Sequence, residues 1–150
     1  MKFNFSLKGR TLSFYLTFAS AIVAIVSSLV LFIYDQTSVV KAVSFHDYTF
    51  IAFIFLALGG VIGLVSSFIE NKYTSILTIV SSVLYACGVG QHLVDCCYPY
   101  ADLGTSVPFF TNSGVFARQL STIFTVFLVL FILVMLASIT TCFLKEKKED

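Results

Sequence analysis

Four long apolar runs, 12–34, 48–69, 75–94 and 120–144, hold no Lys, Arg, Asp, Glu or Pro, and they decide what this chain can fold into. Hydrocarbon offers no water to the backbone, so an isolated apolar segment enters it only as a helix, whose N–H and C=O groups bond within the segment. At 1.5 Å per residue each run is long enough to cross a hydrocarbon core of about 30 Å. The sequence therefore predicts an all-α integral membrane protein, a four-transmembrane-helix bundle that makes one membrane domain of residues 1–150. Charged residues make up only 11% of the chain, against roughly a quarter in an average soluble domain. The net charge of +1, with no concentrated excess of Lys and Arg, argues against a nucleic-acid partner. Spans and short connections take up most of the chain, so chemistry is expected inside the bundle or on an outer loop.

The basic start, Lys2, Lys8 and Arg10, followed by an apolar stretch with Ala19-Ser20-Ala21, has the outline of a secretory signal. Its apolar core, however, runs on past that point to Ile33, whereas a signal core is about 7–15 residues. The first helix is therefore expected to stay in the mature protein. Seven of the nine basic residues lie on one side: Lys2, Lys8, Arg10, Lys72, Lys145, Lys147 and Lys148. Lys41 and Arg118 occupy the other two connections. The positive-inside rule then places the N-terminus, the 70–74 link and the C-terminus in the cytoplasm of a cell bounded by this plasma membrane. Tyr34, Tyr48, Tyr98 and Tyr100 would lie at the outer interface, with Tyr15 and Tyr73 near the inner one.

Lipid is as apolar as Leu, so helices associate through small residues and hydrogen bonds. Three faces carry such residues at steps of three and four: Ser13, Thr17, Ser20, Ala24 and Ser27 in the first run; Gly59 and Gly63, with Ser66 or Ser67, in the second; Thr78, Ser81, Tyr85, Gly88 and His92 in the third. These stripes are expected to pack the bundle, while Gly59 and Gly63 also fit a dimer face and the third-run hydroxyls a polar path. No Asp, Glu, Lys or Arg lies within a span, and because such residues usually mark ion and proton pathways a conduction path is disfavoured. The fourth run, dominated by Phe124, Phe127, Leu128, Leu130, Phe131 and Leu133, is expected to face lipid more than the first three, which supply most of the close contacts.

Chemistry concentrates at the outer end of the third helix. His92, Asp95 and Cys96 stand at i, i+3 and i+4, and all three are metal-ligand types that share a face if the helix continues. His46, with Asp47 at the start of the second helix, can approach the same place across an antiparallel pair. This set suits zinc, although its spacing matches no specific zinc signature. His46 and His92 can likewise be read as axial ligands to a haem. Cys96 and Cys97 form an adjacent pair that closes only a strained ring, and Cys87 and Cys142 lie too deep to reach them. The alternative to a redox role is a set of free thiols open to palmitoylation or to pairing with a partner protein.

The connection from Cys96 to Arg118 is expected to be a longer irregular external loop, punctuated by Pro99, Gly104, Pro108 and Gly114. Tyr98, Phe109 and Phe110 make it too apolar for a solvated linker and offer it as a docking surface for a membrane-protein partner. The Lys/Glu tail anchors the fourth helix, and the sequon at Asn4 falls on the cytoplasmic side, where it stays silent.

Three four-span families lack a match to these marks. A claudin-like outer loop needs Trp, and this chain has none; a tetraspanin loop carries Cys-Cys-Gly, where Cys97 is followed by Tyr98; quinone-coupled thiol oxidoreductases carry C-x-x-C. The layout resembles that of small bacterial membrane proteins, which implies no activity. The leading expectation is a non-enzymatic accessory or interaction subunit, bathed in membrane lipid and joined to a partner or to its own copies. A small oligomeric transporter or channel, and a metal- or thiol-redox protein built on the His/Asp/Cys cluster, are the alternatives.

The orientation has a direct test in a variant whose native cysteines are replaced. An impermeant maleimide added to intact cells is expected to modify Thr37→Cys, and to reach Asn71→Cys only after lysis; the reverse pattern would invert the topology.

Overall fold

The computed structural model describes residues 2–3, 11–35, 46–70, 74–104 and 112–144, and the side chains of 11–34, 50–69, 74–94 and 122–144 within them. Its helices are α1 (Leu12–Asp35), α2 (His46–Phe68), α3 (Thr74–Gly104) and α4 (Asn112–Phe143). Each holds a stretch long and apolar enough to cross a membrane: Leu12–Tyr34, Phe50–Phe68, Thr74–Val94 and Thr122–Phe143. A short strand β1 (Lys2–Phe3) pairs antiparallel with β2 (Ile69–Glu70), in the register Lys2 to Glu70 and Phe3 to Ile69, and ties the chain's start to the α2–α3 link.

Local chemistry sets two of the helix ends. Thr11 caps α1, its hydroxyl accepting the N–H of Phe14 at 3.4 Å, which satisfies one of the donors a first turn leaves open. At the far end of α4 the N–H of Leu144 turns to the Thr141 carbonyl at 3.3 Å, tightening the last turn.

The helices close a ring in chain order: α1 packs on α2, α2 on α3, α3 on α4, and α4 back on α1. Aromatic pairs join α1 to α2 at both ends. Phe68 meets Phe14 and Phe18 edge-on at 6.0 and 5.7 Å, and Phe32 stacks on Phe53 at 4.8 Å. Between them the backbones come close at glycines. A β-carbon on Gly60 would lie 2.5 Å from Ile25 of α1, one on Gly59 would lie 2.9 Å from the Tyr85 ring of α3, and one on Gly88 would lie 2.7 Å from Leu56 of α2. No real side chain fits such gaps, so these positions require glycine for the helices to sit where they do. The approach also lets the Ser81 hydroxyl cross from α3 to donate to the Gly59 carbonyl at 2.7 Å.

Polarity is inverted relative to a water-soluble bundle. Buried are Thr17, Ser20, Ser27, Ser66, Ser82 and Ser138, while Val26, Val61, Val83, Val129 and Leu133 stand outward, each more than half exposed. Soluble monomers rarely expose apolar surface on this scale, and hydrocarbon is the medium in which such a surface carries no penalty. The small stripes of α1, α2 and α3 do face inward.

One expectation is refined and another corrected. Phe124 and Phe131 are fully buried and, with Tyr85, Leu56 and Leu31, form the apolar core. As expected, the fourth helix has the smallest buried share of the four spans, yet it supplies two of the three largest fully buried side chains, because a ring built on Gly and Ser leaves space that only bulky residues fill. The correction concerns the connection between α3 and α4. Rather than an irregular loop from Cys96 to Arg118, α3 continues to Gly104 and α4 starts at Asn112. Residues 95–104 lie beyond the apolar span and add about 15 Å of helix at 1.5 Å per residue. Gly104 is thus a helix end, a usual place for glycine, and Pro99 falls inside a helix that its missing N–H did not stop.

Candidate functional site

Among the described residues His92 is the one His, Asp, Glu, Lys or Arg side chain that lies inside a span, and it is fully buried. Its place on α3 follows from the inward stripe: Thr78, Ser81, Tyr85 and Gly88 precede it on the same buried face. The imidazole packs edge-on against Phe131 at 5.2 Å and Phe124 at 5.7 Å, both on α4. Nε2 lies 3.0 Å from the Phe124 carbonyl oxygen. A carbonyl only accepts, so Nε2 carries the proton and donates it. In the neutral ring Nδ1 then holds a lone pair, and that atom is buried without a hydrogen-bond partner. Bonding of one ring nitrogen to a carbonyl while the other is free is also the arrangement in which histidines ligate metals.

Among the described residues no three His, Cys, Asp or Glu side chains gather in a metal-binding group. The side chains of Asp95, Cys96, His46 and Tyr98 lie outside the described set, although all four belong to helices, and Phe109 and Phe110 lie outside the described residues altogether. Helical continuation through Cys96 keeps His92, Asp95 and Cys96 in register on one helix. Gly59 and Gly63 are buried against their own chain: a β-carbon at Gly63 would lie 3.1 Å from the Ser81 hydroxyl and 3.2 Å from Ala21. Of the cysteines, Cys87 and Cys142 are free thiols on the outward surface.

A second polar feature joins α3 to α4 nearer the other end. Ser82 donates to the Thr78 carbonyl at 2.9 Å, so Ser138, 2.7 Å away, is the donor in the bond between the two hydroxyls. The remaining buried hydroxyls mostly bond their own helix, as Ser20 does to the Thr17 carbonyl at 3.0 Å and Ser66 to the Gly63 carbonyl at 2.8 Å. Tyr85 is fully buried against Gly59, with its hydroxyl beside that of Ser81 over Gly63. The described interior thus holds one imidazole nitrogen that the protein leaves without a partner, amid hydroxyls that mostly have one.

Sequence reasoning placed His92 on the packing stripe near the end of the third run and overlooked the Phe124 and Phe131 pocket that encloses it. The signal was available in the spacing Phe124-x6-Phe131, two turns apart on one face of α4. Comparison with known protein families, curated proteins and solved structures returns no match.

His92→Ala removes a buried ring and its interhelical bond together, and should cost roughly 2–4 kcal/mol in a reversible unfolding titration in mixed micelles. A variant as stable as the parent would show that the ring does not bridge α3 and α4.

Proposed function

We propose that the chain is a non-enzymatic accessory subunit of a membrane assembly. The observation that carries this reading is a glycine its own fold does not use. Gly59, Gly60, Gly63 and Gly88 are each crowded by a side chain of the same protein, whereas a β-carbon on Gly90 would meet nothing within 4 Å. Gly90 is exposed on α3, one turn beyond exposed Ala86, so the outward surface is flat there and admits a partner helix to close range. The interior supports the same reading. Tyr85, Phe124, Phe131, Leu56 and His92 are all fully buried, filling the bundle with side chains and leaving function to its outer faces.

In this reading the protein crosses a plasma membrane four times as one domain, with both termini in the cytoplasm. The seven-to-two division of basic residues supports that orientation. The helical extensions 95–104 and 112–121, with the Phe109-Phe110 pair between them in sequence, give the outer side a second surface for a partner.

Gentle extraction of a tagged copy from its native membranes, followed by native mass spectrometry, is expected to retain a defined membrane protein at fixed stoichiometry. Gly90→Leu should release that protein while the subunit keeps its own unfolding midpoint. Recovery as a lone monomer would refute the reading, and a partner that stays bound to Gly90→Leu would remove α3 from the contact.

A further inference from the structure

At the end of the bundle where α1 and α3 begin and α4 finishes, a half-open cleft of about 180 Å³ lies among the three helices. Ser13 of α1, Ser75 and Thr78 of α3, and Thr141 and Cys142 of α4 line it. Its hydroxyls are of two kinds. Thr78 donates to the Thr74 carbonyl at 3.1 Å and Thr141 to the Ser138 carbonyl at 2.6 Å, so each is committed to its own helix. Ser13 and Ser75 donate to no described residue, and they are the two that stand partly in the open. Behind the cleft the Cys142 thiol lies 3.8 Å from the Ser82 hydroxyl, at the Ser82–Ser138 bond that holds α3 to α4.

The surroundings give the cleft an amphiphilic character. Leu12, Ile76, Ile79 and Phe143 near its mouth are between 52% and 82% exposed, so polar lining passes directly into apolar surface. The three chain segments that meet there are each flanked by a cation in the sequence: Arg10 stands three residues before Ser13, Lys72 three before Ser75, and Lys145 directly follows Leu144 at the cleft's edge. Glu146 is the acidic neighbour on the third segment. The volume is that of about six waters at roughly 30 Å³ each, well below the 300–1,000 Å³ of a pocket for a drug-sized molecule. It therefore suits the polar part of an amphiphile whose tail remains outside.

We propose that this cleft seats the phosphate and glycerol region of an anionic phospholipid. Ser13 and Ser75 donate to the phosphate oxygens, and the acyl chains run along Ile76, Ile79 and Phe143. Basic sites between helix ends at the cytoplasmic leaflet are where anionic headgroups gather. Hydroxyls add directional bonds that charge attraction alone lacks, and those bonds strengthen when the acceptor is ionised.

The test uses the full chain in detergent with equal amounts of phosphatidylglycerol and phosphatidylcholine, and native mass spectrometry reads the first bound lipid. The wild type is expected to retain phosphatidylglycerol about tenfold over phosphatidylcholine, equivalent to about 1.4 kcal/mol. The Ser13→Ala/Ser75→Ala variant should lose most of that preference, while Thr140→Ala, an outward hydroxyl away from the cleft, keeps it. Should the double variant fail to fold, Ser75→Leu, which fills the mouth from an exposed position, is read in its place. Equal retention of the two lipids, or undiminished preference in the cleft variants, would overturn the proposal. Displacement of phosphatidylglycerol by millimolar inorganic phosphate would overturn it too, assigning the cleft to a free ion.

Discussion

Every hydroxyl buried in hydrocarbon needs an acceptor, and the structure depends on how this chain supplies them. The four spans carry many Ser and Thr residues, each of which would oppose membrane insertion if left unbonded. Most turn back on a carbonyl three or four residues earlier, as Thr17, Ser20, Ser28 and Ser66 do. A back-bonded hydroxyl is small and nearly apolar in outline, and two helices can meet across it as they do across alanine. Only a few cross between helices: Ser81 to the Gly59 carbonyl, and Ser138 to Ser82. Such bonds between membrane helices contribute about 0.6 kcal/mol each on average, so their main effect is to fix register.

Close approach follows from that smallness, and the core follows from close approach. Gly59, Gly60 and Gly88 bring α2 against both α1 and α3, which leaves a volume on the opposite side of the ring. Phe124 and Phe131 of α4 fill it, and between them lies the His92 ring. His92 belongs to the packing as much as to any chemistry, since its Nε2–H anchors α3 to the α4 backbone while its free Nδ1 is the single ring atom left for a ligand. The same economy explains Gly90. A glycine with no neighbour inside the chain costs helix stability without return, and in the proposed reading a partner helix would provide that return.

The sequence made the spans legible because the absence of charge over twenty-odd residues has no other physical outcome than a membrane helix. The inward stripes of α1, α2 and α3 were legible too, since small residues at steps of three and four cannot all face lipid without wasting their close packing. What could not be read was complementarity between helices. Nothing in α4 alone distinguishes Phe124, which is buried, from Val126, which is outward; the difference is set by the space α2 and α3 leave. The α3–α4 connection differs from the sequence expectation for a local reason: Pro99 and Gly104 read as breaks, whereas Pro99 is accommodated within α3 and Gly104 ends it. Thr111-Asn112-Ser113, a helix-start signature where α4 begins, was the overlooked sign. Of the candidate metal residues, His92 alone has a described side chain, and its burial between two Phe rings was invisible without α4.

Inverted polarity is the central claim, and labelling from within the lipid phase tests it most directly. A lipid-soluble diazirine, photolysed with the protein in bilayers and mapped by peptide mass spectrometry, should modify residues such as Val26, Val61, Val83, Val129 and Leu133. Ser20, Ser66, Ser81 and Ser138, two to six positions away on the same helices, should remain unlabelled. Equal labelling of both sets, or labelling confined to the serine faces, would contradict a bundle that packs its hydroxyls inward and its branched apolar side chains against lipid.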